Sequence, residues 1–140
     1  MLYPIITYIF IEIKIKSGIF KGDCGGVVFR NDHTNGKNYT LEVCQDGTYT
    51  LYAYTDNTHS TTLISGSSIA TNAGAFKTGL NHLNLITVIA KRNMIYFYAN
   101  KMYIDSVSDY TYSHGFIGLI AIENTNPTDV AYNNVKVWKL

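Results

Sequence analysis

The side chains that could do chemistry are few and scattered. The only glutamates are Glu12, Glu42 and Glu123, each alone in its stretch, and the aspartates mostly sit in turn-like contexts such as Gln45-Asp46-Gly47. Cleaving a glycosidic bond with retention needs two carboxylates about 5 Å apart, most simply supplied by alternating acids on one strand. No Glu-x-Asp-x-Glu run occurs, so such an enzyme would have to gather its acids from different strands. His33, His59, His82 and His114 fall in loop-like segments with neither His-x-His nor His-Glu-x-x-His spacing, which argues against zinc. No serine lies in a Gly-x-Ser-x-Gly turn, so a nucleophile elbow is not expected. No enzyme is expected from these residues, and the chemistry left to them is binding.

The elements that must position them are strands. The chain has 140 residues, enough for one domain with its own core. Its apolar fraction is 46% and its charged fraction only 15%, so Asn, Thr, Ser and Tyr supply much of the polar surface, as in exported β proteins. A net charge of +1 with no basic run excludes the electrostatic footprint of a nucleic-acid binder. The apolar start, Leu2 to Ile15, is shorter than the roughly 20 residues of a membrane helix and alternates from Ile11 to Lys16, so no membrane insertion is expected. No signal peptide is visible, so the chain is expected to begin after any leader.

Short β-branched and aromatic runs separated by Gly, Asn and Asp predict strands at 5–16, 25–30, 38–44, 48–55, 60–65, 84–91, 94–99, 102–107, 116–122 and 130–138. The Ser/Gly/Ala/Thr-rich stretch from Ser65 to Asn81 reads as a loop with one helical turn near Phe76. A two-residue turn at Arg92 and Asn93 pairs Ala90 with Ile95, Val88 with Phe97 and Ile86 with Ala99 on one face. A second turn at Asn100 and Lys101 adds Phe97 opposite Ile104, leaving Thr87, Tyr96, Tyr98, Tyr103 and Asp105 outward. Trp138 is expected near the core edge beside Val135 and Val137.

Pairing Phe29 with Tyr39 and Val27 with Leu41 sets Cys24 opposite Cys44 on the other face. The two cysteines are then either a cross-strand disulfide, in keeping with an extracellular setting, or two buried thiols. In the strand 48–55, Tyr49, Leu51 and Ala53 form the core set and turn Tyr52 and Tyr54 outward, on a face shared with Arg30, Asn38, Thr40 and Glu42. Exposed tyrosines beside an amide and charged groups make a platform for sugar rings, whose C–H faces stack on aromatics, although outward tyrosines also serve plain cross-strand packing. Tyr96 and Tyr98, with Tyr103 and Asp105, form a second candidate face.

Four stretches carry a family resemblance: Lys21–Arg30 (KGDCGGVVFR), Tyr39–Gly47 (YTLEVCQDG), Gly115–Ala121 (GFIGLIA) and Asn133–Trp138 (NNVKVW). Together they resemble the concanavalin A-like lectin/glucanase superfamily. They are nearest to extracellular sandwich modules of bacterial membrane-anchored proteins, some with a serine/threonine kinase, and more distantly to laminin G-like and 3-keto-disaccharide hydrolase-like domains. The resemblance implies an all-β, two-sheet antiparallel jelly roll spanning residues 1–140. Such modules usually carry a further N-terminal strand, which this chain is expected to lack or to obtain from a second copy through an exposed sheet edge. Sandwiches of this type often hold one calcium, for which Asp23, Asn124 and Asp129 are the candidate ligands, although the same residues also suit turns.

The expectation is a non-catalytic extracellular or cell-surface module that recognises carbohydrate or a surface polymer. The alternatives are a self-assembling adhesion or filament subunit and, third, a glycoside-cleaving enzyme.

Overall fold

Ten strands and no helix make up the described residues, 6–17, 23–67, 74–122 and 128–139 of a computed structural model. In chain order they are β1 (Ile6–Ser17), β2 (Cys24–Asp32), β3 (Lys37–Cys44), β4 (Thr48–Tyr54), β5 (Ser60–Ser67), β6 (Leu83–Lys91), β7 (Met94–Ala99), β8 (Met102–Ser108), β9 (Phe116–Ile122) and β10 (Asp129–Lys139). Every strand expected from sequence is present, with ends shifted by no more than a residue or two. Two five-stranded antiparallel sheets result, ordered β10-β1-β6-β7-β8 and β5-β4-β3-β2-β9. They face each other with β1 over β2 and β8 over β5.

Alternation decides which side chains meet between the sheets. Ile9, Ile11 and Ile13 of β1 join Ile86, Val88, Ala90, Ile95, Phe97, Ala99 and Ile104 in the first sheet, and all are buried. The second sheet answers with Val27, Phe29, Tyr39, Leu41, Val43, Tyr49, Leu51 and Ala53. The β6–β7 hairpin has the expected register, Ala90 opposite Ile95, Val88 opposite Phe97 and Ile86 opposite Ala99. At the next turn Asn100 and Lys101 take φ of 50° and 69°, the left-handed values that a tight two-residue hairpin requires.

Three local expectations fail. The β7–β8 ladder slips between Phe97 and Tyr98, so Phe97 lies opposite Asp105 and Ile104 is the inserted residue of a bulge. Asp105 consequently faces inward rather than to solvent, and accepts a 2.9 Å hydrogen bond from the Tyr49 hydroxyl of the opposite sheet. Phe76 forms no helical turn; it sits in an irregular bend and is buried in the core. Trp138 lies opposite Tyr8 on the outer face of the first sheet, 46% exposed, with its ring edge-on to Phe10 at 5.0 Å. A bulge at Asn134 (φ 49°) shifts the β1–β10 register between Phe10 and Glu12, an insertion that sequence alternation does not show.

Candidate functional site

The outer face of the second sheet carries an open groove of about 360 Å³. Asn38, Thr40 and Glu42 of β3 and Tyr54 of β4 line one side, and Ile120 and Ile122 of β9 the other. Their common orientation follows from register: Asn38 is opposite Tyr54, Thr40 opposite Tyr52 and Glu42 opposite Thr50. Between the walls runs β2, where Gly26, paired with both Glu42 and Ile120, has no side chain to fill the space between them. Gly26 is obligatory, because a Cβ would lie 1.9 Å from the Leu41 carbonyl oxygen.

The polar groups of the groove are held in place. Thr40 Oγ1 donates to Asn38 Oδ1 at 2.6 Å, and Asn38 Nδ2 donates to the Gly36 carbonyl at 3.2 Å. The Tyr52 and Tyr54 rings stand 5.8 Å apart at a tilt. Burial pushes the Glu42 carboxyl above the usual glutamate range, and burial together with the nearby Glu42 raises the Tyr54 phenol. At the end of the groove Asp56 and Asn57 enter from the β4–β5 turn. Asp56 Oδ1 accepts from the backbone N–H groups of Thr58 and His59 at 2.7 and 2.8 Å, and these bonds hold its pKa well below the ordinary carboxylate value.

Arg30 is a correction. Alternation assigns it to this outer face, but both ladders of β2 slip between Val28 and Asp32, and Arg30 itself is left-handed with φ 48°. The bulge turns its side chain away from the groove: Arg30 is 7% exposed and its Nη1 donates to the Tyr112 carbonyl at 2.9 Å. Gly115 lies flat on this bulge, where a Cβ would meet the Arg30 carbonyl carbon at 2.5 Å.

The second aromatic face is larger than its expected members. Tyr96, Tyr98 and Tyr103 do share the outer face of the first sheet, with the Tyr98 and Tyr103 rings 5.8 Å apart. One cross-strand row continues from Tyr103 through Tyr98, Thr87 and Phe10 to Lys136. Tyr8, Phe10 and Trp138, which sequence reasoning missed, therefore extend it across strands from both ends of the chain.

Cys24 and Cys44 form the disulfide, with Cα atoms 4.0 Å apart. Of the three candidate calcium ligands, Asn124 lies outside the described residues. Asp23 is buried and accepts from the Thr128 hydroxyl at 2.8 Å, which brings it near the start of β10, where Asp129 stands exposed. Among the described residues no three His, Cys, Asp or Glu side chains are grouped to hold a metal ion. Nor is any helix among them long and apolar enough to cross a membrane.

The fold is a two-sheet antiparallel jelly-roll β-sandwich, and comparison with known proteins agrees on the architecture. No protein-family profile and no curated protein sequence matches the chain. Among solved structures it resembles the carbohydrate binding module CBM66 from Bacillus subtilis (TM-score 0.73, 18% identity), covering 96% of this chain and 75% of that one. Sheep galectin-11, solved in complex with glycerol, superposes with a TM-score of 0.66 at 10% identity over 95% of this chain and 90% of that one. Caenorhabditis elegans galectin LEC-6 gives 0.64 at 13% identity, covering 94% and 81%.

Proposed function

We propose that this chain is a non-catalytic carbohydrate-recognition module that binds through the outer face of the second sheet. The observation that carries this reading is the groove itself: an amide, a hydroxyl, a carboxylate and a tyrosine face one open depression, with the Tyr52 ring beside it. Sugars need that combination, with polar groups for the hydroxyls and an aromatic for the ring face. The sandwich neighbours include a carbohydrate-binding module and galectins, which supports the same reading. Binding is favoured over cleavage because the other carboxylate at the groove, Asp56, is taken up by Thr58 and His59. The disulfide supports an extracellular or cell-surface setting. The finer assignment, to laminin G-like or 3-keto-disaccharide hydrolase-like modules of bacterial proteins, rests on the sequence motifs alone.

A glycan-array screen, run with and without calcium, tests this. Saturable binding that falls about tenfold or more in folded Tyr52→Ala/Tyr54→Ala is expected, two stacking contacts of about 1 kcal/mol each being sufficient. Binding that needs added calcium would support an ion at Asp23, Asn124 and Asp129. Absence of binding to every glycan would shift the assignment to self-assembly. That second reading has its own support: Leu119 and Val137 point inward on edge strands β9 and β10, yet remain 41% and 40% exposed. A sheet edge left in this state suits pairing with another copy, read as a concentration-dependent mass in sedimentation.

A further inference from the structure

The bulge that removes Arg30 from the groove delivers it to a different place. At one end of the sandwich, between the sheets, a small pocket is lined by Thr7 of β1, Phe29 and Arg30 of β2, Ser113 and His114 of the β8–β9 loop, and Lys139 of β10. Its volume of about 40 Å³ is room for roughly three waters, at 10–15 Å³ each.

Arg30 is 93% buried, since only 7% of it is exposed, and its Nη1 donates to the Tyr112 carbonyl. The guanidinium also hydrogen-bonds the Tyr39 phenol, so both of its protein partners are uncharged. That hydroxyl donates to Asp109 at 2.5 Å and accepts from the Tyr112 N–H at 3.1 Å, so it offers a lone pair and no charge. Burial pushes the Tyr39 phenol up to about 12, which keeps it neutral. Among the described residues no acidic side chain lines the pocket, and the salt bridge found among them, His59 with Asp56, lies elsewhere. Burying a cation without a counter-charge is costly, and here Lys139 and the His114 ring add positive or proton-donating groups instead of an anion. A guanidinium fork matches the two oxygens of a carboxylate or sulfate.

We propose that this pocket is an oxyanion site, in which Arg30 receives a carboxylate or sulfate group. Ser113, His114 and Lys139 flank that group, and the body of the ligand stays outside because the pocket has no room for it. The site lies on the inner side of the second sheet, separate from the tyrosine groove, and does not depend on that groove binding sugar.

The test is a two-dimensional NMR titration of the whole chain with sodium glucuronate and with sodium sulfate, against glucose and sodium chloride at matched ionic strength. The chain has only two arginines, Arg30 and Arg92, so the Arg30 Nε–H resonance is assignable. Saturable shifts at Arg30 Nε–H and the Ser113–Gly115 amides are expected with glucuronate or sulfate, and the two arms tell a carboxylate site from a general oxyanion site. Affinity should fall at least fivefold in Lys139→Ala, an exposed position that leaves the fold intact, and further in Arg30→Lys. Tyr52→Ala/Tyr54→Ala should leave these shifts unchanged, so loss of glycan binding and loss of anion binding are read separately. Shifts that follow chloride equally, fail to saturate, or persist undiminished in Lys139→Ala overturn the proposal and leave Arg30 as a tie for the 109–115 loop.

Discussion

Single side chains here are governed by what burial does to charge. Glu42 faces the groove with its folded-state pKa raised by burial. The folded protein therefore holds this proton more tightly than the unfolded chain does. Stability contributed by the neutral form is present at acid pH and is lost as pH rises through the folded pKa. At neutral pH the ionised Glu42 is a cost, one that a bound ligand donating hydrogen bonds to it would relieve. Glu42→Gln should raise Tm at pH 7, by an amount worth less than about 1 kcal/mol because the side chain is partly solvated. The gain should shrink as pH falls toward the ordinary glutamate value of about 4.3. Thermal melts of both proteins across pH 4 to 8 measure this; a pH-independent difference would mean that packing, not charge, separates them.

Among the elements, β2 is joined to β9 with help from the opposite sheet. The Tyr132 hydroxyl of β10 crosses the core edge, accepts from Gly26 N at 3.0 Å and donates to the Ile120 carbonyl. Gly25 leaves room for this crossing, since a Cβ there would lie 3.0 Å from the Tyr132 hydroxyl oxygen. Tyr132→Phe keeps the ring and strands both backbone groups, so it should cost about 1–3 kcal/mol. Urea unfolding would show this, and amide exchange at Gly26 should accelerate with it. This contact also marks where sequence reasoning stops. Local hairpins were legible because a strict alternation and short turns constrain them: the pairings of Ala90 with Ile95 and Cys24 with Cys44 follow from neighbouring residues alone. Arg30, Asp105 and Trp138 were misplaced because each lies at or beyond a bulge, where one extra residue reverses the inside and outside of the strand. The groove was half legible. Its Asn38, Glu42 and Tyr54 wall belongs to one hairpin, whereas Ile120 and Ile122 arrive from a strand nearly 80 residues away in sequence, beside β2.

For the whole molecule, that long-range assembly is what the disulfide protects. β2 lies between β3 and β9, so it joins a local hairpin to the strand that forms the far wall of the groove. Cys24–Cys44 bridges the ends of β2 and β3 across 20 residues, at the end of the hairpin away from its Asp32–Lys37 turn. A link of that span removes loop freedom from the unfolded chain worth about 3 kcal/mol. In a domain of this size that corresponds to a Tm lower by roughly 10 °C once the bond is gone. Cys24→Ser/Cys44→Ser should therefore melt early while keeping the β2–β3 register, because Val27, Phe29, Tyr39 and Leu41 still bury the same face. Calorimetry gives the first quantity, and unchanged cross-strand NMR contacts between Val27 and Leu41 the second. Loss of those contacts in the double serine variant would mean that the bond specifies the register instead of only stabilising it, and the proposed glycan binding should then fail at temperatures where the rest of the sandwich is still folded.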